Sequence, residues 1–134
     1  MKIAPEHTSD EVLHHMGKPG KQSLIEFKKM FDDLNKTSGK KQFLTYYLIA
    51  AHPGCKESHM HELKQFTTHE LKINPEQAQV FTPTPGTYSA VMYYTELDPF
   101  TKKKIFVEKD TLRKERQKEI VVAKKSFCKT KQNS

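Results

Sequence analysis

The sequence predicts an α/β fold built around a small parallel sheet. Three strand-like runs, at 2–7, 43–51 and 77–81, alternate with stretches in which apolar residues recur every three or four positions. This alternation indicates βαβ units, because parallel neighbours need a crossover connection and a helix supplies it. The 134 residues suffice for one domain with a modest core. A sheet of three strands has two open edges, so the pattern also indicates that part of the sheet is missing.

The first strand, KIAPEH at 2–7, is followed by two predicted helices. Thr8 and Glu11 have the spacing of a capping box, which predicts a short helix over about 9–16. The next apolar residues, spaced by threes and fours, predict a second helix that lies on a core and ends at Gly39.

The second strand is the strongest strand signal in the chain. FLTYYLIAA at 43–51 is a nearly continuous apolar, aromatic and β-branched run, which suits a strand buried on both faces of a parallel sheet. A His-Pro-Gly turn at 52–54 ends it. Another amphipathic helix is predicted over about 57–70, and QAQVF at 77–81 is the third strand.

The remainder of the chain has a less regular pattern. Residues 82–88 are turn-rich, residues 92–101 combine an aromatic patch with a turn, and residues 103–110 predict a further short strand. Residues 111–125 have a helix-forming composition with a sparse apolar stripe, and residues 126–134 look frayed.

The chain is expected to be cytosolic, with a basic C-terminal region. Much of the net charge of +7 follows residue 100, which is more typical of a basic tail than of a shaped nucleic-acid surface. No run approaches the roughly 18 apolar residues that cross a bilayer, and no secretion signal opens the chain. Cys55 and Cys128 are therefore expected as free thiols, and no CxxC-type spacing offers a zinc or iron-sulfur site.

Polar side chains follow each of the three predicted strands. Glu6 and His7 follow the first strand, His52 the second, and Thr82 and Thr84 the third. Because the carboxyl ends of parallel strands carry the loops that bind ligands in α/β folds, these residues form one candidate site. The alternative, that they serve only turns and caps, has equal weight on the sequence.

Histidines and a cysteine raise two weaker hypotheses. Helical metal ligands are spaced by three or four, so His59, His61 and His69 are expected as solvated surface residues and a histidine metal site is disfavoured. Cys55 lies three residues after His52, but without a third orienting group it is more typical of a small buried side chain than of a nucleophile.

The aromatic residues between 88 and 106 are expected to pack in the core rather than to stack on bases. A nucleic-acid-binding module acting through the lysine-rich residues 101–131 remains the alternative function on the sequence.

Five motifs, in order, carry a resemblance to a known family: KIAPEH, GKPG, YLIAAHPGC, QAQVFTPTPGT and MYYTELDPFT. Together they resemble the C-terminal half of the YgiQ-type radical-SAM proteins over about residues 1–120. The resemblance implies an incomplete β/α barrel. It also implies a [4Fe-4S] cluster, held by a CxxxCxxC loop, that cleaves S-adenosylmethionine to a 5′-deoxyadenosyl radical.

The resemblance divides the chain into the C-terminal half of the barrel (1–87), an irregular α/β extension ending in a basic helix (88–125) and a disordered tail (126–134). The cluster loop would lie upstream of Met1, so the chain would be a fragment or a truncated reading frame whose partner is the missing N-terminal half. No cofactor is then expected to bind this chain stably on its own.

Residues at the barrel mouth are implied to hold the nucleoside or substrate, and Glu6, His7, His52, Thr82 and Thr84 match motif positions there. Their individual roles are not set by the match. Two departures put the local loop geometry in doubt: Lys56 stands where a capping threonine is usual, and Glu96 replaces a turn glycine.

Overall fold

The computed structural model describes residues 1–122 and has a mixed α/β architecture, which confirms the predicted fold class. The sheet contains three strands in the order β1-β2-β3, and both neighbouring pairs are parallel. The strands are β1 (Lys2–Glu6), β2 (Thr45–Ala50) and β3 (Gln79–Val80). The helices are α1 (Asp10–Met16), α2 (Lys21–Ser38), α3 (Glu57–His69), α4 (Tyr88–Thr95) and α5 (Thr111–Val121).

The core lies around the carboxyl half of β2. Buried apolar side chains from β2, α1, α3 and α5 form one cluster: Val12, Leu48, Ala50, Cys55, Met60, Leu63, Ala78 and Val121. Since α5 contributes Val121, the extension shares its core with the strands. The proposed domain boundary at residue 87 stays a prediction, and the predicted tail at 126–134 lies outside the described residues.

The strand β1 has an irregular register. Ile3 pairs with Tyr46, but Glu6 pairs with Leu48, so one extra residue is accommodated between them. Pro5 lies in this interval and has no N–H to donate, which explains why it is tolerated only in an edge strand. Glu6 follows with φ of 66°, so the strand ends in a left-handed residue.

Helix α1 begins differently from the prediction. The Thr8–Glu11 capping box is not used, and the N-cap residue Ser9 makes no side-chain cap bond. Instead, the backbone N–H groups of Thr8 and Ser9 donate to Nδ1 of His7 at 2.9 and 3.0 Å. A ring nitrogen therefore satisfies the donors at this turn.

Helix α2 differs from the prediction in its environment. It ends at Gly39 with φ of 67°, as predicted, but none of its residues is buried. Met30 is 55% exposed and Leu34 is 61% exposed. The expectation that α2 lies on a core is therefore met only in part: Leu24, Phe27 and Phe31 are half-buried, but Leu34 is exposed.

The extension contains a helix that the sequence pattern did not reveal. Thr87 caps α4 by accepting the N–H of Ala90 at 3.1 Å, and Glu96 ends it with φ of 56°, where a glycine was expected. The predicted strand at 103–110 is reduced to an isolated bridge between Leu97 and Lys104. Of the predicted helix over 111–125, Thr111–Val121 is observed, and residues 123–125 lie outside the described residues.

Over residues 1–122, the structure has no helix that is both long and apolar enough to span a bilayer.

Candidate functional site

The centre of the candidate site is the loop that follows β2, residues 51–55. Ala51 has φ of 58° and Gly54 has φ of 85°, so the loop contains two left-handed residues within four positions. A Cβ atom on Gly54 would lie 2.7 Å from Nδ1 of His15. Glycine is therefore required at position 54 both for its backbone angle and for the close approach of α1.

His52 is held inside the structure by both ring nitrogens. Its Nδ1 lies 2.9 Å from the carbonyl oxygen of Pro53, its Nε2 lies 3.0 Å from Oγ of Ser89, and its ring meets the ring of Phe81 at 5.0 Å. A carbonyl can only accept, so Nδ1 carries the proton and Nε2 accepts from the Ser89 hydroxyl. Burial lowers the pKa of His52 to about 4, although the bond to Pro53 opposes this shift.

His7 is also buried, and its hydrogen bonds set the opposite tautomer. Because Nδ1 accepts two backbone N–H groups, the proton of the neutral ring is on Nε2, which lies 3.6 Å from Sγ of Cys55. Burial, with smaller contributions from His59 and His52, lowers the pKa of His7 to about 3. His7 therefore joins the turn after β1 to the 51–55 loop as a neutral group.

Cys55 has the environment of an unreactive thiol. Its side chain is fully buried, and burial raises its pKa to about 12. The Sγ atom can donate to Oε1 of Gln117 at 3.5 Å. Its histidine neighbour is His7, whose Nε2 already carries a proton, whereas His52 bonds to other groups. The geometry does not form a Cys-His catalytic pair.

The other three predicted site residues lie nearer the surface. Glu6 is half-buried and lies 3.4 Å from Nζ of Lys18, which also donates to the carbonyl oxygen of Ala4 at 2.7 Å. Thr82 and Thr84 are exposed after β3. The five residues thus comprise two buried histidines and three accessible polar side chains, and their roles in binding stay predictions.

Three residues of the extension hold the 51–55 loop, and none of them was predicted. Gln117 is 2% exposed; its Oε1 accepts the N–H of Ala51 at 2.9 Å and its Nε2 donates to the carbonyl of Cys55 at 3.2 Å. The carbonyl of Phe106 accepts the N–H of Gly54 at 2.7 Å. Ser89 is the third. A glutamine within a basic helix and a backbone carbonyl carry no distinctive sequence signal.

One of the histidines expected at the surface is structural. His59 is 6% exposed; its Nδ1 accepts the N–H of Lys56 at 2.9 Å, and its Nε2 lies 3.1 Å from a carboxylate oxygen of Glu11. The surface expectation was wrong for His59, and its ring supplies the helix-start acceptor that Lys56 lacks. His61 and His69 are exposed. In the part of the chain described, no three His, Cys, Asp or Glu residues are grouped to hold a metal ion.

The aromatic residues of the extension are more exposed than the sequence suggested. Tyr88 is 65% exposed, Tyr94 71%, Phe100 74% and Phe106 42%, so the expectation of core packing is wrong for these four. Tyr93 is covered by two ammonium groups, with Nζ of Lys109 at 5.5 Å and Nζ of Lys114 at 4.9 Å from its ring centre.

Comparison with known proteins identifies longer relatives. Residues 76–133 match the model of a domain of unknown function (DUF3362). The chain is 62% identical over 125 residues to a UPF0313 protein of Fusobacterium nucleatum, covering 93% of this chain and 22% of that protein. UPF0313 proteins of Thermotoga maritima and Clostridium perfringens are 42% and 40% identical, with 22% and 18% of their lengths covered. The chain thus spans about a fifth of the length of these relatives.

Proposed function

We propose that the chain is the C-terminal part of a cytosolic radical S-adenosylmethionine protein of the YgiQ type. In this proposal β1, β2 and β3 are the last strands of an incomplete β/α barrel, and their loops supply part of the wall of the cofactor and substrate cavity. The proposal rests on the family resemblance of the sequence motifs, and the similarity to much longer UPF0313 proteins supports it.

The observation that carries the proposal is the sheet itself. Three parallel strands follow one another in chain order, and a loop with polar side chains follows each strand. Within residues 1–122 the outer edge of β1 pairs with no other strand, and apolar side chains elsewhere are exposed, including Leu34 at 61% and Phe43 at 79%. A barrel continued by further strands would pair that edge and cover those side chains.

The described residues do not fit an iron-sulfur cluster. Such a cluster needs several thiolates, whereas residues 1–122 contain one cysteine, and its thiol is buried with a raised pKa. The cluster ligands in this proposal therefore belong to another part of a longer protein, and this chain alone is inactive.

S-adenosylmethionine, when bound beside a cluster, supplies the 5′-deoxyadenosyl radical that abstracts hydrogen from the substrate. The residues of this chain contribute binding and shape. Glu6, Thr82 and Thr84 offer accessible oxygen atoms for hydroxyl and amine groups of a nucleoside or substrate. His7 and His52 are neutral and hydrogen-bonded, so they hold the loops that carry the other groups.

The test compares this chain with a longer protein that contains it. After reconstitution with iron and sulfide, we expect the longer protein to form a [4Fe-4S] chromophore and to release 5′-deoxyadenosine when reduced. Thr82→Ala should lower that rate, and Thr37→Ala, on the outer helix α2, is the matched control. A stable cluster or turnover of S-adenosylmethionine by the chain alone would refute the proposal, as would a longer protein that binds a cluster but never cleaves the cofactor.

The exposed aromatic residues favour one alternative, a nucleic-acid-binding module. Tyr88, Tyr94 and Phe100 are accessible for base stacking, and Lys102–Lys104 are exposed near them in sequence. Binding to a single-stranded RNA should then weaken steeply with salt, and it should fall with Tyr94→Ala but not with Phe43→Ala. Absence of binding at low salt would exclude this alternative.

A further inference from the structure

The extension contacts the 51–55 loop from three separate elements. Ser89 from α4 bonds to the His52 ring, the carbonyl of Phe106 bonds to Gly54, and Gln117 from α5 bonds to Ala51 and Cys55. Ser89, Phe106 and Gln117 together form the clamp. They lie within the part of the chain that matches a domain of unknown function.

The clamp bonds to the backbone groups that the loop cannot pair by itself. Ala51 and Gly54 have left-handed backbone angles, φ of 58° and 85°, and their N–H groups bond to residues of the extension instead of to a neighbouring strand. Gln117 accepts the first at 2.9 Å and Phe106 accepts the second at 2.7 Å. A buried N–H group without an acceptor is costly, so these bonds stabilise one particular loop conformation.

Ser89 acts on a side chain of the loop. Its Oγ lies 3.0 Å from Nε2 of His52, while the Pro53 carbonyl lies 2.9 Å from Nδ1. The two partners bond to opposite nitrogens. The Pro53 carbonyl can only accept, so it places the proton on Nδ1, and the Ser89 hydroxyl, which can donate or accept, then donates to Nε2. In this state Nε2 is an acceptor, and His52 has no proton to give from that atom.

We propose that the clamp fixes the conformation of the 51–55 loop and that Ser89 is a positioning residue that holds the His52 ring through Nε2. The inference deepens the proposed function, on which it rests only for placing His52 beside a ligand cavity. It gives the C-terminal region a defined task, which is to set the shape of the loop after the middle strand.

The tautomer is measured by nitrogen NMR of the ¹⁵N-histidine-labelled chain. His52 should show Nδ1 protonated and Nε2 bare. Ser89→Ala removes the donor to Nε2 and leaves the Pro53 carbonyl at Nδ1, so Nδ1 should stay protonated while the Nε2 resonance moves to the value of a bare nitrogen without a hydrogen bond. Ser89→Thr, which keeps the hydroxyl, should restore the wild-type pattern, and Ser23→Ala on the exposed part of α2 should leave it unchanged. An Nε2 resonance in Ser89→Ala that matches the wild type would overturn the role of Ser89.

The effect of the clamp on the loop is measured by the rates of amide hydrogen exchange at Ala51 and Gly54. Gln117→Met keeps the length of the side chain but removes both the acceptor for Ala51 and the donor to the Cys55 carbonyl, so a folded protein with faster exchange in the loop is expected. Gln65→Met, at an exposed position on α3, is the matched control. Exchange at Ala51 and Gly54 that matches the control would overturn the clamp.

Different results would refute the proposed function and the clamp. In a longer protein, Ser89→Ala should lower the rate of 5′-deoxyadenosine release and Ser89→Thr should recover it. If the longer protein never releases 5′-deoxyadenosine while the tautomer and exchange results hold, the proposed function fails and the clamp stands.

Discussion

His7 and His52 show at the residue scale how burial and hydrogen bonding decide what a histidine can do. Each lies in the interior, at 1% and 3% exposure, and each has partners at both ring nitrogens. The tautomers are opposite, because His7 accepts backbone N–H groups at Nδ1 whereas His52 donates to a carbonyl from the same atom. Both residues are therefore neutral structural groups near neutral pH.

These two histidines make the stability of the fold sensitive to acid. The folded-state pKa values, about 3 for His7 and about 4 for His52, lie below the ordinary value of 6.5, so the unfolded chain takes up protons first as the pH falls. Their contribution is fully present above 6.5 and is lost progressively below it. At about pH 5, each of the two histidines should therefore have lowered the free energy of unfolding by about 2 kcal/mol. Urea unfolding measures this loss.

A matched pair of variants separates this effect from general acid sensitivity. His52→Asn should reduce the difference in unfolding free energy between about pH 7.5 and about pH 5, whereas His61→Gln, on the exposed face of α3, should not. If the free energy of unfolding depended on pH equally in both variants, the acid sensitivity could not be assigned to His52.

Cys55 should be protected from alkylation in the folded chain. Because the thiol is buried and its pKa is raised to about 12, its reaction with iodoacetamide should be at least about 100-fold slower than in urea. The rate is measured on the Cys55 peptide by mass spectrometry. A native rate within tenfold of the rate in urea would indicate an accessible thiolate.

At the scale of elements, the loop after β2 combines strained backbone with contacts from α1, α4 and α5. Its left-handed residues would be costly in isolation, so the surrounding hydrogen bonds must maintain them. The turn after β1 is built in the same manner, with the His7 ring accepting the donors ahead of α1. Side chains from one loop thus stabilise the backbone of the next element.

Gly54→Ala should destabilise the fold more than Gly39→Ala. Both glycines are left-handed, but a Cβ on Gly54 would lie 2.7 Å from the His15 ring, whereas Gly39 has nothing within 4 Å. We expect a loss of about 1 kcal/mol for Gly39→Ala from backbone strain and at least about 2 kcal/mol for Gly54→Ala, measured by urea unfolding. Equal losses would show that α1 moves away at no cost.

At the scale of the whole molecule, apolar burial is uneven. The core around β2 buries side chains from four elements, while α2 buries none and Phe43, between α2 and β2, is 79% exposed. The family resemblance and the longer relatives offer a reason for this exposure, since further strands and helices of a longer protein would cover α2 and Phe43.

Two leucines test this asymmetry. In this chain Leu63→Ala, in the core, should cost about 2–5 kcal/mol, and Leu34→Ala, on α2, less than about 0.5 kcal/mol. Within a longer protein the cost of Leu34→Ala should rise above about 1 kcal/mol as its surroundings fill. A cost for Leu34→Ala that stays the same in both proteins would argue against coverage of α2 by the rest of a barrel.

The sequence by itself determined the succession of strands and helices, because the apolar period of each segment is local. The buried run at 43–51, the helix ends at Gly17 and Gly39, and the parallel order of strands all follow from such periods and from glycine at left-handed positions. Helix α4 was missed because its short apolar segment lies among turn signals and lacks a clear period.

Only the tertiary structure decided which side chains meet at the 51–55 loop. The His7–Cys55, His52–Ser89 and Ala51–Gln117 contacts join residues 48, 37 and 66 positions apart. No local pattern encodes such distances, and a glutamine or serine looks the same in sequence whether it is solvated or buried against a backbone donor. The sequence indicated where a site could lie, and packing of the extension supplied the buried hydrogen-bond partners of its loop.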